Sequence, residues 1–248
     1  MKISIITAVY NNQETIGNTL ESILKQNYAD LELVLVDGAS TDGSLEIIKR
    51  YSEKISILSS EPDSGIYDAL NKGIHKASGE VVGFLHADDI FYDESVIASI
   101  AQAFEDSAVE AVYGDLVYIR RDNPKVVLRY WSAGEYDSSS FSKGWMPPHP
   151  TFYVRRSVYE RFGVFDQRYR ISADYDLMLR FFLTIGINAK YIPKIFVRMR
   201  SGGISNRSFK SIIQKSYEDY LILRRNKAGG ILTLMKKNIG KLNQFFKH

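Results

Sequence analysis

The sequence predicts an α/β fold: a mostly parallel central sheet flanked by helices, followed by a C-terminal helical extension. In the first half of the 248 residues, apolar runs of strand length alternate with segments whose apolar residues recur at helical spacing. This alternation is typical of βαβ units, which bury a parallel sheet between helices. The last part of the chain differs in charge, since residues 207–248 contain ten Lys and Arg but two acidic residues.

Each predicted element of the first half follows from this alternation. The predicted strands are Lys2–Val9, Leu31–Val36, Ile55–Ser59 and Glu80–Leu85. The predicted helices are residues 16–24, Ser44–Tyr51 and Ile66–Lys76. In open α/β sheets, ligands bind beyond the carboxyl ends of the strands. Four polar segments follow these strands and are the places to look for a site: Thr7–Asn11, Asp37–Asp42, Glu61–Asp68 and His86–Asp89.

The second half has a less regular pattern. Its predicted strands are Ala111–Arg120, Lys125–Trp131, Thr151–Val154, Asn188–Ile192 and Ile195–Met199. Its predicted helices are Ser172–Thr184, Phe209–Asn226 and Ile231–Phe246. Residues 132–150 are rich in Ser, Gly and Pro and are long for a plain connection, which indicates a functional loop.

Composition excludes several classes of site. The chain is 45% hydrophobic and 25% charged, as is ordinary for a globular protein, and it has no cysteine. Disulfides and thiolate zinc sites are therefore excluded. We see no apolar run of about 20 residues and no leader peptide, so we expect a cytoplasmic protein.

Asp88 and Asp89 directly follow an apolar strand, where unpaired carboxylates are costly to bury. A divalent cation would compensate them, and Mg²⁺ often joins a carboxylate to a substrate diphosphate. The alternative is an acidic cap for the helix that begins near Glu94.

Three further segments carry side chains suited to a nucleotide. Tyr10 offers a ring on which a base can stack and Asn11 an amide; the alternative is a solvent-facing Tyr10 followed by Asn11 as the cap of the next helix. Asp37 ends a buried strand and can accept a hydrogen bond from a base or a ribose. Around the start of the helix at Ile66, the polar side chains that could bind phosphate or sugar, or simply cap the helix, are Asp63, Asp68 and Asn71.

The combination of these segments resembles the family 2 glycosyltransferases of the GT-A fold, in particular the bacterial enzymes of cell-surface polysaccharide synthesis. The motif order is Thr-x-x-Tyr-Asn, Val-Asp-x-x-Ser-x-Asp, Asp-x-Gly-Ile-x-x-Ala-x-Asn-x-Gly and Ala-Asp-Asp. The resemblance covers residues 1–205, with a nucleotide-sugar half at 1–110 and an acceptor half at 111–205. Residues 206–248 form a separate basic amphipathic tail.

The resemblance implies a role for each matching residue. Thr7, Tyr10 and Asp37 would hold the base of a nucleotide sugar, usually UDP. Asp88 would lie near the ribose or donor sugar, and Asp89 would bind Mn²⁺ or Mg²⁺ on the diphosphate. The sequence departs from the family's Asp-x-Asp signature, because His86 or Ala87 stands where the first acid would be.

The resemblance also implies an inverting reaction with a carboxylate base. Asp174 matches that base, with Ala173 in place of the usual Glu, although an acidic helix cap would explain Asp174 alone. His149 is a candidate third metal ligand or acceptor contact, or part of a rigid turn. Arg200, beside Gly202, is a candidate to close over the diphosphate, or a solvated turn residue.

The tail predicts an amphipathic helix with an apolar stripe of Ile231, Leu234, Met235, Ile239, Leu242, Phe245 and Phe246. Lys236, Lys237, Lys241 and Lys247 are predicted to lie largely off it. Such a helix could lie on an anionic membrane, pack on the catalytic domain or pair two subunits. Membrane contact would suit a polyprenyl-linked saccharide acceptor, and we expect no nucleic-acid partner. The alternative to an enzyme is a non-catalytic scaffold of a membrane assembly complex.

Overall fold

The computed structural model describes residues 1–137, 139–202 and 209–242, which form a mixed β-sheet with helices on both faces. In these ranges the strands, β1 to β9 in order, are Ile3–Val9, Leu31–Asp37, Ile57–Ser60, Val81–Phe84, Ile90–Phe91, Ala111–Ile119, Val127–Trp131, Tyr153–Arg155 and Ala189–Arg200. The α-helices in the same ranges, α1 to α8, are Ile16–Leu24, Ser44–Lys49, Ile66–Lys76, Val96–Ala103, Arg156–Phe162, Ala173–Leu179, Phe209–Arg225 and Ile231–Leu242.

The sheet has the predicted parallel half and a more mixed second half. Neighbouring strands follow the order β3-β2-β1-β4-β8-β6-β9-β5, and β7 also pairs with β6. β1 runs parallel to β2 and β4, and β2 runs parallel to β3. The carboxyl ends of these four strands therefore meet at one edge of the sheet, where the polar segments lie. β8 joins the two halves by pairing antiparallel with β4 and β6.

Successive side chains of a strand point to opposite faces of the sheet. The parallel strands are buried on both faces because a core layer packs against each face. Ile6 and Val34 face a core layer that includes Leu70 of α3. Ile5 and Leu33 face a second layer that includes the buried residues of α1. This two-sided burial is why these strands read as continuous apolar runs in the sequence.

The structure differs from the predicted secondary structure at β9 and at α6. The predicted strands Asn188–Ile192 and Ile195–Met199 are one strand, β9, and Pro193 lies where its register with β6 shifts between Tyr113 and Asp115. A bulge tolerates a proline, because the ladder is interrupted there. The predicted helix Ser172–Thr184 is α6 followed by a π-helical segment, Arg180–Ile185.

The C-terminal helices pack on the rest of the fold, with α7 against α6 and α8 against α7. The expectation that Lys237 lies off the packed face is wrong, because it is buried and its Nζ lies 2.9 Å from Asp219 of α7. Lys237 is three residues after Leu234, which packs against the core, so the two share a helix face. Phe245, Phe246, Lys247 and the predicted boundary at 205/206 lie outside the described residues.

A membrane-spanning helix would need about 20 apolar residues. Within the ranges that the structure describes, no helix is both long enough and apolar enough to cross a bilayer.

Candidate functional site

The ends of β1 and β2 bring Tyr10, Gly38 and Asp63 together, and we call the surface between these three residues the notch. Tyr10 follows β1 and its side chain is 62% exposed. A Cβ atom at Gly38, directly after β2, would lie 2.4 Å from Asp63 Oδ2 and 3.4 Å from Tyr10 Cδ2. Gly38 therefore lies between an exposed aromatic ring and a carboxylate, and any side chain there would collide with Asp63. Such a notch suits a flat ring that stacks on Tyr10.

Asp37 lies under this notch and is fully buried. Its carboxylate accepts hydrogen bonds from the hydroxyls of Ser40 (2.5 Å) and Ser60 (2.6 Å), and from the Ser40 backbone N–H. These donors replace the water that the carboxylate loses on burial. Ser40 Oγ in turn accepts the backbone N–H of Asn11 at 2.9 Å, which ties the ends of the two strands together.

The loops around the notch contain two strained residues. Asn11 has φ +53° and Ala39 has φ +58°, a left-handed conformation that side chains with a Cβ rarely adopt. Asn11 Oδ1 accepts the Thr41 backbone N–H at 2.9 Å, so its side chain helps to lock the two loops together. Strain of this kind concentrates at functional sites, because the surrounding structure must hold it in place.

Thr7 and Asn71, both predicted to bind the donor, are buried within the fold. Thr7 lies inside β1, and its hydroxyl has no hydrogen-bond partner among the described residues, so its role toward the donor stays a prediction. The amide of Asn71 donates to the Phe165 carbonyl at 2.9 Å and accepts the Phe165 N–H at 3.0 Å. It therefore holds the chain ahead of α6 instead of facing the notch.

Asp63 and Asp68 flank the start of α3, as the sequence predicts. Asp63 accepts the Gly65 N–H at 2.8 Å and also lines the notch. Asp68 accepts the Ser64 N–H at 3.0 Å, and this bond, with the charge of Lys72, lowers the pKa of its carboxyl. Asp68 therefore supports the turn before α3, and Asp63 is the residue of this pair that the structure brings to the notch.

The two acids after β4 differ in exposure. A turn closed by the Asp89 N–H and the His86 carbonyl (2.9 Å) leaves Asp88 partly exposed and Asp89 fully buried. Asp89 Oδ1 accepts the Arg200 N–H at 3.2 Å, and burial, with the charge of Asp88, raises the pKa of Asp89 well above its usual range. Asp89 Oδ2 is buried without a hydrogen-bond partner among the described residues, so the role of Asp89 as a metal ligand stays a prediction. Asp88, the more exposed of the two acids, is a second candidate ligand.

Arg200 is not a solvated turn residue, and its predicted role at the diphosphate stays a prediction. It is 2% exposed, and its Nη1 donates to the Asp88 carbonyl at 2.6 Å. The end of β9 lies beside this turn, because Ile90 pairs with Arg198. The Arg200 side chain therefore holds the acidic turn in place. Moving it to cover a bound diphosphate would break its hydrogen bond to the Asp88 carbonyl.

Asp174, the predicted base, lies close to this turn. It is partly exposed at the start of α6, and its Oδ1 accepts from the Tyr67 hydroxyl at 3.1 Å. The charges of Asp88 and Asp174 both act on His86, although burial is the larger effect and lowers the pKa of His86. Tyr67, the second residue of α3, is a site residue that sequence reasoning missed, because its partner lies more than a hundred residues away.

His149 lies in the same cluster, beneath the turn. Its ring centroid is 5.8 Å from that of His86 and 5.3 Å from that of Phe84, on which it stacks. Burial lowers the pKa of His149 to about 4, so its imidazole is neutral at pH 7. His86 Nδ1 and His149 Nε2 have no hydrogen-bond partner among the described residues. Buried nitrogens without partners are typical of a site that a ligand completes.

The residues at the turn fit a cation that takes most of its ligands from elsewhere. In the described part of the chain, no group of three or more His, Asp or Glu side chains forms a ready-made metal cage. Asp88 is partly exposed, and the unpaired Nδ1 of His86 lies two residues before it. Mg²⁺ and similar ions commonly use one or two protein ligands and complete their shell with substrate phosphates and water.

Comparisons with known proteins show the family of this chain. Residues 4–171 match the family model described as glycosyl transferase family 2. A Mycobacterium tuberculosis "PGL/p-HBAD biosynthesis glycosyltransferase" is 32% identical over 219 residues, covering 86% of this chain and 81% of the relative. The Bacillus subtilis protein named "Putative glycosyltransferase EpsE" is 27% identical, and the match covers 91% of this chain and 83% of the relative.

Two solved structures share the fold. S. aureus TarS 1-349 in complex with UDP-GlcNAc has a TM-score of 0.70 at 18% identity, and the match covers 91% of this chain but 65% of that one. The mannosyltransferase PcManGT from Pyrobaculum calidifontis, in complex with GDP-Man and Mn²⁺, has a TM-score of 0.67 at 22% identity, covering 95% and 68%. The predicted GT-A fold is confirmed.

Proposed function

We propose that this chain, which belongs to glycosyltransferase family 2, moves a sugar from a nucleoside diphosphate to a saccharide hydroxyl with inversion at the anomeric carbon. The observation that carries this proposal is the position of Asp174 beside the acidic turn at Asp88. Asp174, which is partly exposed, would take the proton of an incoming hydroxyl. Asp88, which is also partly exposed, would lie near the departing diphosphate. Inversion needs one base on the face opposite the leaving group.

The notch is the proposed site of the base, and we favour uracil. Tyr10 would stack on the ring, and Gly38 would let the ring approach the backbone. The Asp37 carboxylate can accept the imide N–H of uracil in addition to the Ser40 and Ser60 hydroxyls, because its two oxygens together accept about four hydrogen bonds. One similar structure is in complex with UDP-GlcNAc and the other with GDP-Man, so the base that this chain binds has to be identified by experiment.

Asp88, with His86, would hold a divalent cation, Mn²⁺ or Mg²⁺, which would neutralise the charge that builds up on the departing diphosphate. Arg200 keeps the turn in place through the Asp88 carbonyl. Tyr67 donates toward Asp174 and toward the Ile171 carbonyl, 2.8 Å away, so it orients the base. Tyr67 remains protonated in this role, because burial and the Asp174 charge raise its pKa well above 10.

The proposed acceptor is a saccharide, carried on a polyprenyl lipid at an anionic membrane surface. Support comes from the exposed apolar side chains of α7 and α8, which include Ile213, Tyr217, Ile231, Leu232 and Met235. Apolar side chains on a basic helical segment are typical of interfacial helices. Flotation of the full chain with vesicles containing anionic lipid, but not with neutral vesicles, is the expected result. A concentration-dependent dimer without vesicle binding would assign this face to a second copy of the chain.

Calorimetric titration of UDP, GDP, CDP and ADP, with and without Mn²⁺, tests the donor site. We expect one diphosphate to bind, more tightly with Mn²⁺, and Asp88→Asn to lose the effect of the metal. Asp30→Asn is the matched control, because Asp30 directly precedes β2, at the opposite end of the parallel strands, and its side chain is 52% exposed. Binding of no diphosphate to the wild-type protein would contradict the proposal. Retention of the donor's anomeric configuration in the product, read by NMR, would contradict the inverting mechanism.

A further inference from the structure

The C-terminal helices make direct contacts with the segment that carries the proposed base. This segment, residues 170–172, leads into α6, in which Asp174 is the second residue. Glu218 of α7 is 6% exposed, and its carboxylate accepts three consecutive backbone N–H groups: Arg170 (3.1 Å), Ile171 (2.9 Å) and Ser172 (3.0 Å). A buried carboxylate with three N–H donors is a strong, charge-assisted anchor.

The Glu218 contact acts on the same peptide units as the Tyr67 contact, from a different element. Tyr67 of α3 donates to the Ile171 carbonyl, while Glu218 of α7 accepts the Ile171 N–H. Ile171 is thus held at both its carbonyl and its N–H, three residues before Asp174. A shift of this backbone would move the carboxylate of Asp174 relative to an acceptor hydroxyl, and proton transfer depends steeply on that distance.

The second C-terminal helix supports α7 in this position. Lys237 of α8 is paired with Asp219, the neighbour of Glu218, and its Nζ lies 3.1 Å from the ring centroid of Tyr175, next to the base. Gly144 of the long loop approaches so closely that a Cβ there would lie 2.4 Å from the Lys237 backbone nitrogen. α8 is therefore fixed against α7, α6 and the loop together.

We infer that Glu218 is a positioning residue for the glycosyl-transfer reaction, and that the C-terminal helices are part of the catalytic unit. The inference rests on the proposed role of Asp174 as the base. Glu218 touches neither donor nor acceptor in this assignment. It acts by fixing the backbone of residues 170–172, and its removal leaves those three N–H groups without their acceptor.

The test uses the full chain and the substitution Glu218→Gln, which keeps the shape of the side chain but weakens its acceptor. We expect kcat to fall about 10- to 100-fold, with the KM for the donor and the Kd for UDP within about twofold of wild type. Hydrogen exchange at the amides of residues 170–172 should become faster. Glu105→Gln, an exposed glutamate on the opposite half, is the matched control and should change none of these.

Gln214→Ala is a second, milder variant, because Gln214 Nε2 donates to Glu218 Oε1 at 3.0 Å. It should lower kcat in the same direction, by less than Glu218→Gln, even if the latter folds poorly. Faster exchange at residues 170–172 with unchanged kcat in both variants would overturn the inference and leave the proposed function intact. A wild-type protein that binds UDP but turns over no donor sugar would instead refute the proposed function, and with it the inference.

Discussion

The notch for the base and the site of the catalytic carboxylate are held together in different ways. Around the notch, Asp37, Ser40 and Asn11 hold one another within about 30 residues of sequence, through loops that end adjacent parallel strands. Asp174 is instead held by residues distant in sequence on both sides, Tyr67 of α3 and, through the backbone, Glu218 of α7. The first region behaves as a local motif, whereas the second forms only when the whole fold has closed. Four predictions test this difference, from the largest expected effect to the smallest.

The largest effect is expected at the base. Asp174→Asn should lower the rate of sugar transfer by about 10³-fold, because a positioned general base contributes about 10²–10⁴-fold to such reactions. UDP binding should stay unchanged, since the notch does not depend on Asp174. The measurement is transfer rate together with calorimetric Kd. A loss of UDP binding in this variant would contradict the expectation that the notch binds UDP independently of Asp174.

The second prediction concerns the buried His149 beside the base. Burial lowers its pKa to about 4, whereas the unfolded chain takes up the proton near 6.5. As pH falls from 7 to 4 the unfolded state binds this proton first, so the fold loses about 3 kcal/mol of stability over that window. The full contribution is present above pH 6.5.

Urea unfolding of the apo protein at pH 7 and pH 4 measures this loss. His149→Gln should reduce the difference between the two pH values, whereas His75→Gln, which changes an exposed histidine, should not. An equal loss in all three proteins would show that His149 does not control the acid sensitivity of the base region.

The third prediction concerns the notch. Asp37→Asn should weaken UDP binding about tenfold, because the amide keeps one acceptor oxygen but loses the charge that the Ser40 and Ser60 hydroxyls now stabilise. Ser60→Ala, which leaves the carboxylate in place, should have a smaller effect in the same calorimetric titration. Unchanged UDP affinity in Asp37→Asn would remove Asp37 from the proposed donor site.

The smallest effect is expected where α7 ends. Arg225 of α7 pairs with Asp166 at 2.8 Å, and Arg168 pairs with the same carboxyl; these contacts lower the pKa of Asp166. Because both arginines are largely exposed, Asp166→Asn should cost less than about 1 kcal/mol, or about 2 °C in Tm.

A carboxyl with a lowered pKa stabilises the fold above its unfolded value, near 3.8, and loses this contribution as the pH falls. The difference in Tm between Asp166→Asn and wild type should therefore disappear in strong acid. Calorimetric melting at pH 7 and in acid measures it. A difference that grew toward low pH would have the wrong sign for this ion pair.

Much of the fold could be predicted from the sequence because the parallel strands are buried on both faces and their apolar runs are continuous. β9 was split in the prediction because Pro193 normally interrupts a strand, and the bulge in its register with β6 was not visible in the sequence. The pair Asp88 and Asp89 was found, but not which of them is the more exposed, because that depends on how the turn after β4 meets Thr19 and Arg200.

The sequence by itself determined the family, the order of the strands and helices in the parallel half, and the segments at which polar side chains leave the sheet. These follow from local periodicity and from motifs whose partners lie near one another in the chain. The tertiary structure alone decided that Lys237 is buried, that Asn71 and Arg200 serve the fold, and that Tyr67 and Glu218 meet at Ile171. The physical reason is that the sequence pattern around a polar residue is the same whether its side chain faces water or a buried hydrogen-bond partner. Only the packing of distant elements fixes which of the two it does.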